Sequence, residues 1–303
     1  MDVRAVALGL TFAVMWSSAF ASARIILLDA PPLWSLALRF LISGGLAVGL
    51  ARALGQSWRL PGQQARAVVI FGLCQNALYL GLFFVAMQRI EASLASIIAS
   101  SMPLVVAALG WALRGERLAP LGIAGMIAGF VGVALIMGSR IQAGADPAAV
   151  MLCVVGATAL AVATLTVRGA SAGGNLLMVV GLQMLVGSAA LTLVALVAEP
   201  LRVTPTLRLA AAFAYQIAVP GLAATLIWFY LVGRIGAIKA SAFHFLNPFF
   251  GVLIAAVLLG EAISGLDMLG VAVATLGILA VQLAKLRSAP QSNQDETSSA
   301  DPS

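Results

Sequence analysis

Charge is what this chain of 303 residues has least of: 17 Lys and Arg with 11 Asp and Glu make up 9% of it, against 62% hydrophobic residues. A water-soluble fold clothes its core in charged and polar side chains, and so sparse a supply excludes one. The mean hydropathy of +1.06 equally excludes a disordered chain, and a bilayer, which demands no charged coat, is the environment that remains. Histidine occurs once, at His244, and cysteine twice, at Cys74 and Cys153, both inside apolar runs. One histidine makes neither a metal nor a haem site, and two separated cysteines make no disulfide framework and say nothing about compartment. Clustered nucleophiles, bases and phosphate-binding loops are also lacking, so neither an intramembrane enzyme nor an ATP-driven pump is expected, and no cofactor. The net charge of +6 comes from basic residues scattered singly between apolar runs, as topology determinants are, which argues against a nucleic-acid partner.

What the chain does have is apolar sequence in pieces of about 20 residues, the length that crosses ~30 Å of hydrocarbon. Ten such runs are read at 5–28, 32–53, 66–88, 92–113, 119–138, 148–168, 175–198, 207–232, 240–259 and 266–286. They lack strand alternation, and backbone exposed to lipid must satisfy its own hydrogen bonds. The expected class is therefore an all-α integral membrane protein with ten transmembrane helices. Arg4, the apolar stretch after it and Ala21-Ser22-Ala23 mimic a cleavable signal peptide, but the run continues to Leu28 and is read as the first span. Residues 287–303, polar and rich in Pro and Ser, are expected to be a disordered tail. With the N-terminus inside, eleven basic residues flank the inner ends of the spans and five (Arg24, Arg89, Arg140, Arg202, Arg208) the outer ends. That bias predicts both termini on the cytoplasmic side of the inner (plasma) membrane.

An internal repeat is visible. Sliding the chain by 145 positions lays Arg89-Ile90 on Arg234-Ile235, Ser96 on Ser241, Pro103 on Pro248, Gly115-Glu116 on Gly260-Glu261, Gly125 on Gly270 and Gly132 on Gly277. Only five Glu occur in the chain, so the Glu pairing, 13 residues after a paired proline, weighs most. A shift of 144 in the earlier spans aligns Arg24 with Arg168 and Arg39 with Gln183. Two halves, 1–140 and 147–286, of five helices each are expected. Because five is odd, the second enters the membrane from the opposite side, an inverted repeat of the kind that supports alternating access.

These same motifs carry a family resemblance. Ser and Pro seven apart, then Leu113-Arg114-Gly115-Glu116 or Leu258-Leu259-Gly260-Glu261, then a Gly-rich helix, occur once per half, with Trp16-Ser17-Ser18-Ala19-Phe20 and Leu38-Arg39-Phe40 near the start. Over ~285 residues the chain resembles the EamA branch of the drug/metabolite transporter superfamily. The resemblance implies an exporter of small metabolites, often amino acids or related compounds, with a central cavity between the halves. Four-helix multidrug relatives in that superfamily carry a glutamate in the first helix; this chain has none there, so antiport of cationic drugs is disfavoured. A multidrug or other-metabolite transporter of the same fold is the alternative, and a non-transporting scaffold or an intramembrane enzyme the reading from other classes.

Arg39 is the only basic residue well inside a span, ~10 Å from the outer end of the second helix at 1.5 Å per residue. Such a cation needs a partner: Asp29 and Glu91 near the surface, backbone carbonyls, or a substrate carboxylate. A structural tie between helices is the competing role. His244 is either a proton-coupling group or a neutral imidazole hydrogen-bonded to a neighbour. Pro103 and Pro248 mark expected helix kinks. Further candidates for substrate contact are Trp16, Gln75, Asn76, Tyr79, Ser100, Trp228 and Asn247, donors and aromatic walls that suit an amphipathic metabolite. Glu116 and Glu261 are read as structural, each capping the helix that follows it or pairing with an arginine. The glycines of the fifth and tenth helices suit close packing within the chain or, alternatively, in a homodimer.

Overall fold

A computed structural model describes residues 3–115, 119–166, 175–235, 240 and 243–288. The regular structure among them is helical: α1 (Val3–Ile26), α2 (Pro32–Ala53), α3 (Gly62–Ala86), α4 (Ala92–Leu113), α5 (Pro120–Gln142), α6 (Pro147–Thr166), α7 (Leu176–Ala198), α8 (Leu207–Gln216 continued through Ile217–Ala223 and Ala224–Ile235), α9 (Phe243–Leu259) and α10 (Gly265–Ser288). Nine of these include a stretch long and apolar enough to cross a membrane, and α9 is a shorter apolar helix. The protein is an all-α, multi-span membrane protein.

Local sequence explains the helix ends. Proline opens α2, α5 and α6, where its missing N–H is no loss. Thr206 caps α8 by accepting the Leu209 N–H at 3.0 Å. Gly115 and Gly260 close α4 and α9 at φ 63° and 68°, a left-handed conformation that favours glycine. Boundaries differ from expectation where polar residues extend a helix past the hydrocarbon. Thus α3 begins at Gly62 rather than 66, carried by Gln63, Gln64 and Arg66, and α10 runs to Ser288, so the first two residues assigned to the tail are helical. Glu116 and the remainder of the tail lie outside the described residues.

Two features interrupt the α-helical register. Both α3 and α8 contain a π-helical segment, Gly72–Tyr79 and Ile217–Ala223. Pro220 removes one backbone donor from the second of these. α4 is broken at Ser101, ahead of Met102-Pro103, and α9 opens as a 3-10 turn, Phe243–Leu246, ahead of Asn247-Pro248. The π segments begin at 72 and 217, and the helical stretches after the breaks begin at 102 and 247, in each case 145 apart.

α2 packs along α7 and α5 along α10; α1 packs on α8 and α9, while α6 packs on α3 and α4. Small residues set the closeness of the first two pairs. A Cβ on Gly44 would stand 2.9 Å from the Gly181 carbonyl oxygen, and Ser188 donates to the Ala37 carbonyl at 2.7 Å. In the other pair a Cβ on Gly125 would stand 2.8 Å from the Gly277 oxygen, and one on Gly132 2.7 Å from the Gly270 oxygen. This glycine face is used within the chain.

One membrane face gathers the connections that carry acids. There Asp29 pairs with Arg208 (2.8 Å) and accepts from the Thr206 hydroxyl (2.8 Å), Asp146 pairs with Arg89 (3.1 Å), and Arg140 joins Glu91 and Asp267 while donating to the Ala262 carbonyl. The Thr206 hydroxyl and then Arg208 hold the Asp29 carboxyl below its ordinary value, as Arg89 and then the Ala148 N–H do for Asp146. Burial pushes Glu91 and Glu199 up, against the pull of Arg140 on the first and of the Trp34 N–H on the second.

Candidate functional site

Phe12 and Trp16 lie one turn apart on α1, and Trp228 of α8 and His244 of α9 close on them. The Phe12 ring centroid is 5.5 Å from Trp16, 5.2 Å from Trp228 and 5.2 Å from His244, the last edge-on at 89°. His244 is also 5.2 Å from Trp228. Asn247 Nδ2 meets His244 Nδ1 at 2.9 Å. The Ser17 hydroxyl donates across to the Asn247 carbonyl at 3.4 Å, tying α1 to the break in α9. The structure thus brings together four predicted residues, Trp16, Trp228, His244 and Asn247. Phe12 completes the group and was missed, although its i, i+4 spacing from Trp16 was there to be read.

The other candidates stand apart from this group. Gln75, Asn76 and Tyr79 belong to the π segment of α3. Asn76 donates through Nδ2 to the Gln183 carbonyl of α7 at 2.9 Å, and Tyr79 is buried with its ring 4.6 Å from Phe83. Gln75 is half-buried. The Ser100 hydroxyl donates to the Ser96 carbonyl of its own helix at 2.7 Å. Pro103 and Pro248 sit at the starts of the helical stretches after the two breaks. A crevice of about 330 Å³ between α1, α8 and α9, with the Ser18 and Tyr215 hydroxyls 2.7 Å apart at its wall, is lined by none of the predicted residues.

Arg39 is 8% exposed, its guanidinium carbon 5.2 Å from the Phe40 ring centroid and its Nε without a partner. Both acids considered for it are engaged elsewhere: Asp29 by Arg208, Glu91 by Arg140. The reading of Glu261 requires a correction. Its carboxylate does not cap the following helix but accepts the Ala92 and Ser93 N–H groups at 2.8 and 3.0 Å, capping α4. The start of α10 is instead capped reciprocally by Ser264 and Asp267. Ser43 and Gln216 are also buried, each with a polar atom lacking a partner.

Among the described residues no group of three or more His, Cys, Asp or Glu is placed to hold a metal. Of solved structures, one described as a crystal structure of a protein superposes with a TM-score of 0.67 at 23% identity, over 95% of this chain and 100% of that one, which speaks for the fold alone. The uncharacterized inner membrane transporter YedA of Escherichia coli is 25% identical over 282 residues, 90% of this chain and 88% of its own length. The aromatic amino acid exporter YddG of Ancylobacter novellus is 32% identical over 135 residues, 44% of this chain and 46% of its own. The sequence profile of the EamA-like transporter family matches twice, at residues 3–138 and 147–283. With nearly the whole of its helical sequence so matched, the chain belongs to the EamA-like transporter family of small-molecule transporters, and its function is transport rather than catalysis.

Proposed function

We propose that the protein is a secondary transporter that exports small polar or amphipathic metabolites, amino acids among them, by alternating access between two inverted five-helix halves, 1–140 and 147–286. The observation that carries this reading is the reciprocity of the helix contacts. Gly125 against Gly277 and Gly270 against Gly132 are one contact made twice, since 125 corresponds to 270 and 132 to 277. Gly44 against Gly181 and Ser188 against Ala37 are related in the same way through a shift of 144. Reciprocal contacts are what an internal two-fold axis produces, and five helices per half put that axis in the membrane plane. α2·α7 and α5·α10 are then the surfaces that cross it, with α1, α3, α6 and α8 free to rock around them.

Amino-acid-like cargo is favoured by the aromatic cluster of Trp16, Trp228 and His244, by the absence of any acid in α1, and by the name of the relative YddG. The eleven-to-five excess of basic residues on the inner flanks supports a cytoplasmic position for both termini. Purified protein in liposomes preloaded with candidate solutes is the test: solute-dependent counterflow supports the reading, and its absence for amino acids and related metabolites alike rejects it.

A further inference from the structure

The π segment of α3 meets α7, and that of α8 meets α2. In the repeat, position 76 corresponds to 221, and positions 183 and 187 to 39 and 43. The two equivalent contacts are filled differently. At the first, Asn76 occupies the space, lying against Gly187 and donating to the Gln183 carbonyl at 2.9 Å. At the second, the π-segment residue is Gly221, and the Ser43 hydroxyl faces it, 3.6 Å from where a Cβ would stand. Gly221 thus brings no side chain of its own to the place that Asn76 fills in its mate.

Three buried polar atoms on α2 and α8 have no partner: Arg39 Nε, Ser43 Oγ and Gln216 Oε1. Their residues are 8%, 1% and 0% exposed. Arg39 and Ser43, four apart, share a face of α2. α2 and α8 start from the same membrane face, where Asp29 binds Arg208. Arg39 and Gln216 therefore stand ~10 and ~14 Å along neighbouring parallel helices, roughly level. The orientation of the Gln216 amide is fixed, because its Nε2 donates to the Ala19 carbonyl at 2.8 Å, which leaves Oε1 as the open end. The group offers donors from a guanidinium, an acceptor from an amide, and a hydroxyl that does either. A buried guanidinium without an anion is costly, and a carboxylate is its geometric complement. The amide oxygen asks for an N–H or O–H close by.

We propose that Arg39, Ser43 and Gln216 form a recognition subsite for a carboxylate whose neighbouring carbon bears an N–H or O–H donor, the chemistry shared by α-amino acids and 2-hydroxy acids. This rests on the transporter reading for its purpose, yet equilibrium binding tests it separately. Calorimetry on the purified full chain in detergent compares L-phenylalanine, L-3-phenyllactate, phenylalaninamide and 3-phenylpropionate, which share one side chain, so that any aromatic contribution cancels. Phenylalanine or phenyllactate should bind at least about tenfold tighter than both the amide, which lacks the carboxylate, and the phenylpropionate, which lacks the donor; which of the two is tighter distinguishes ammonium from hydroxyl. Equal affinities across the four, or no binding by any, overturn the subsite. Ser43→Ala removes an unpartnered hydroxyl, so it should keep or raise the melting temperature while weakening the preferred ligand severalfold; unchanged affinity in that variant also overturns the proposal. Counterflow of phenylalanine without any carboxylate preference would reject the subsite and leave the transporter reading standing, whereas selective binding without flux of any solute would do the reverse.

Discussion

Glu261 and Ala92, 169 positions apart, are joined by a 2.8 Å hydrogen bond from the Ala92 N–H to the Glu261 carboxylate, with Ser93 donating to the other oxygen. A carboxylate at a helix start satisfies orphan donors and meets the positive end of the dipole. It also ties the α9–α10 connection to α4. Glu261→Ala should cost about 1–2 kcal/mol, read as a lower melting temperature in detergent, and Glu261→Gln should recover part of it. An unchanged melting temperature for Glu261→Ala would remove the cap from the account of stability.

Arg140 bridges Glu91 and Asp267 beside that cap. Burial raises the Glu91 carboxyl above its ordinary 4.5 while Arg140 pulls it down. A carboxyl raised in the folded state favours folding when protonated, and that advantage is lost as pH climbs through its folded value. Removing Arg140 raises it further. The melting-temperature deficit of Arg140→Gln should therefore be small near pH 4 and grow toward pH 7; a deficit independent of pH would mean that Arg140 acts through packing alone.

A bulky residue in the glycine face between α5 and α10 has nowhere to go. Gly132→Val would place carbon against the backbone of Gly270 and Ala274 and should cost about 3 kcal/mol or abolish folded yield. Gly138→Val on the same helix, where a Cβ meets nothing within 4 Å, is the control and should express normally. Similar yields for the two would dissociate this face from the fold.

Orientation follows from charge. Reporter fusions after residue 303 and within the α5–α6 connection near residue 143 should report opposite sides of the membrane, the first cytoplasmic. The same side for both would contradict an even number of crossings with this inversion.

The helices were legible because hydrocarbon thickness imposes a length and a composition that no soluble segment satisfies. The recurrence of Pro103 with Pro248 and of Gly115 with Gly260 marked real helix breaks and ends, since each is a backbone requirement written in one residue. The π segments were not read: an i→i+5 register within an otherwise helical span leaves no periodicity that hydropathy can register. Nor could sequence choose a partner for Glu261, because the start of the following helix was the nearer suitor and the true one lay 169 positions back. The aromatic group was read except for Phe12: Trp16, Trp228, His244 and Asn247 are conspicuous in apolar runs. That Ser43 and Gln216 are buried with an unpartnered atom each is something no local pattern announces.

The interleaving of the helices has a consequence for biogenesis. α1 is shaped to fit α8 and α9, and α2 to fit α7, all of which leave the ribosome after α1 to α5 have been made. The early half thus enters the bilayer with its Gly44 and Gly125 faces turned to lipid and its small side chains uncovered. Those contacts can be completed only once the later helices are present, so residues 1–140 and 147–286 synthesised as separate polypeptides should assemble only in each other's company.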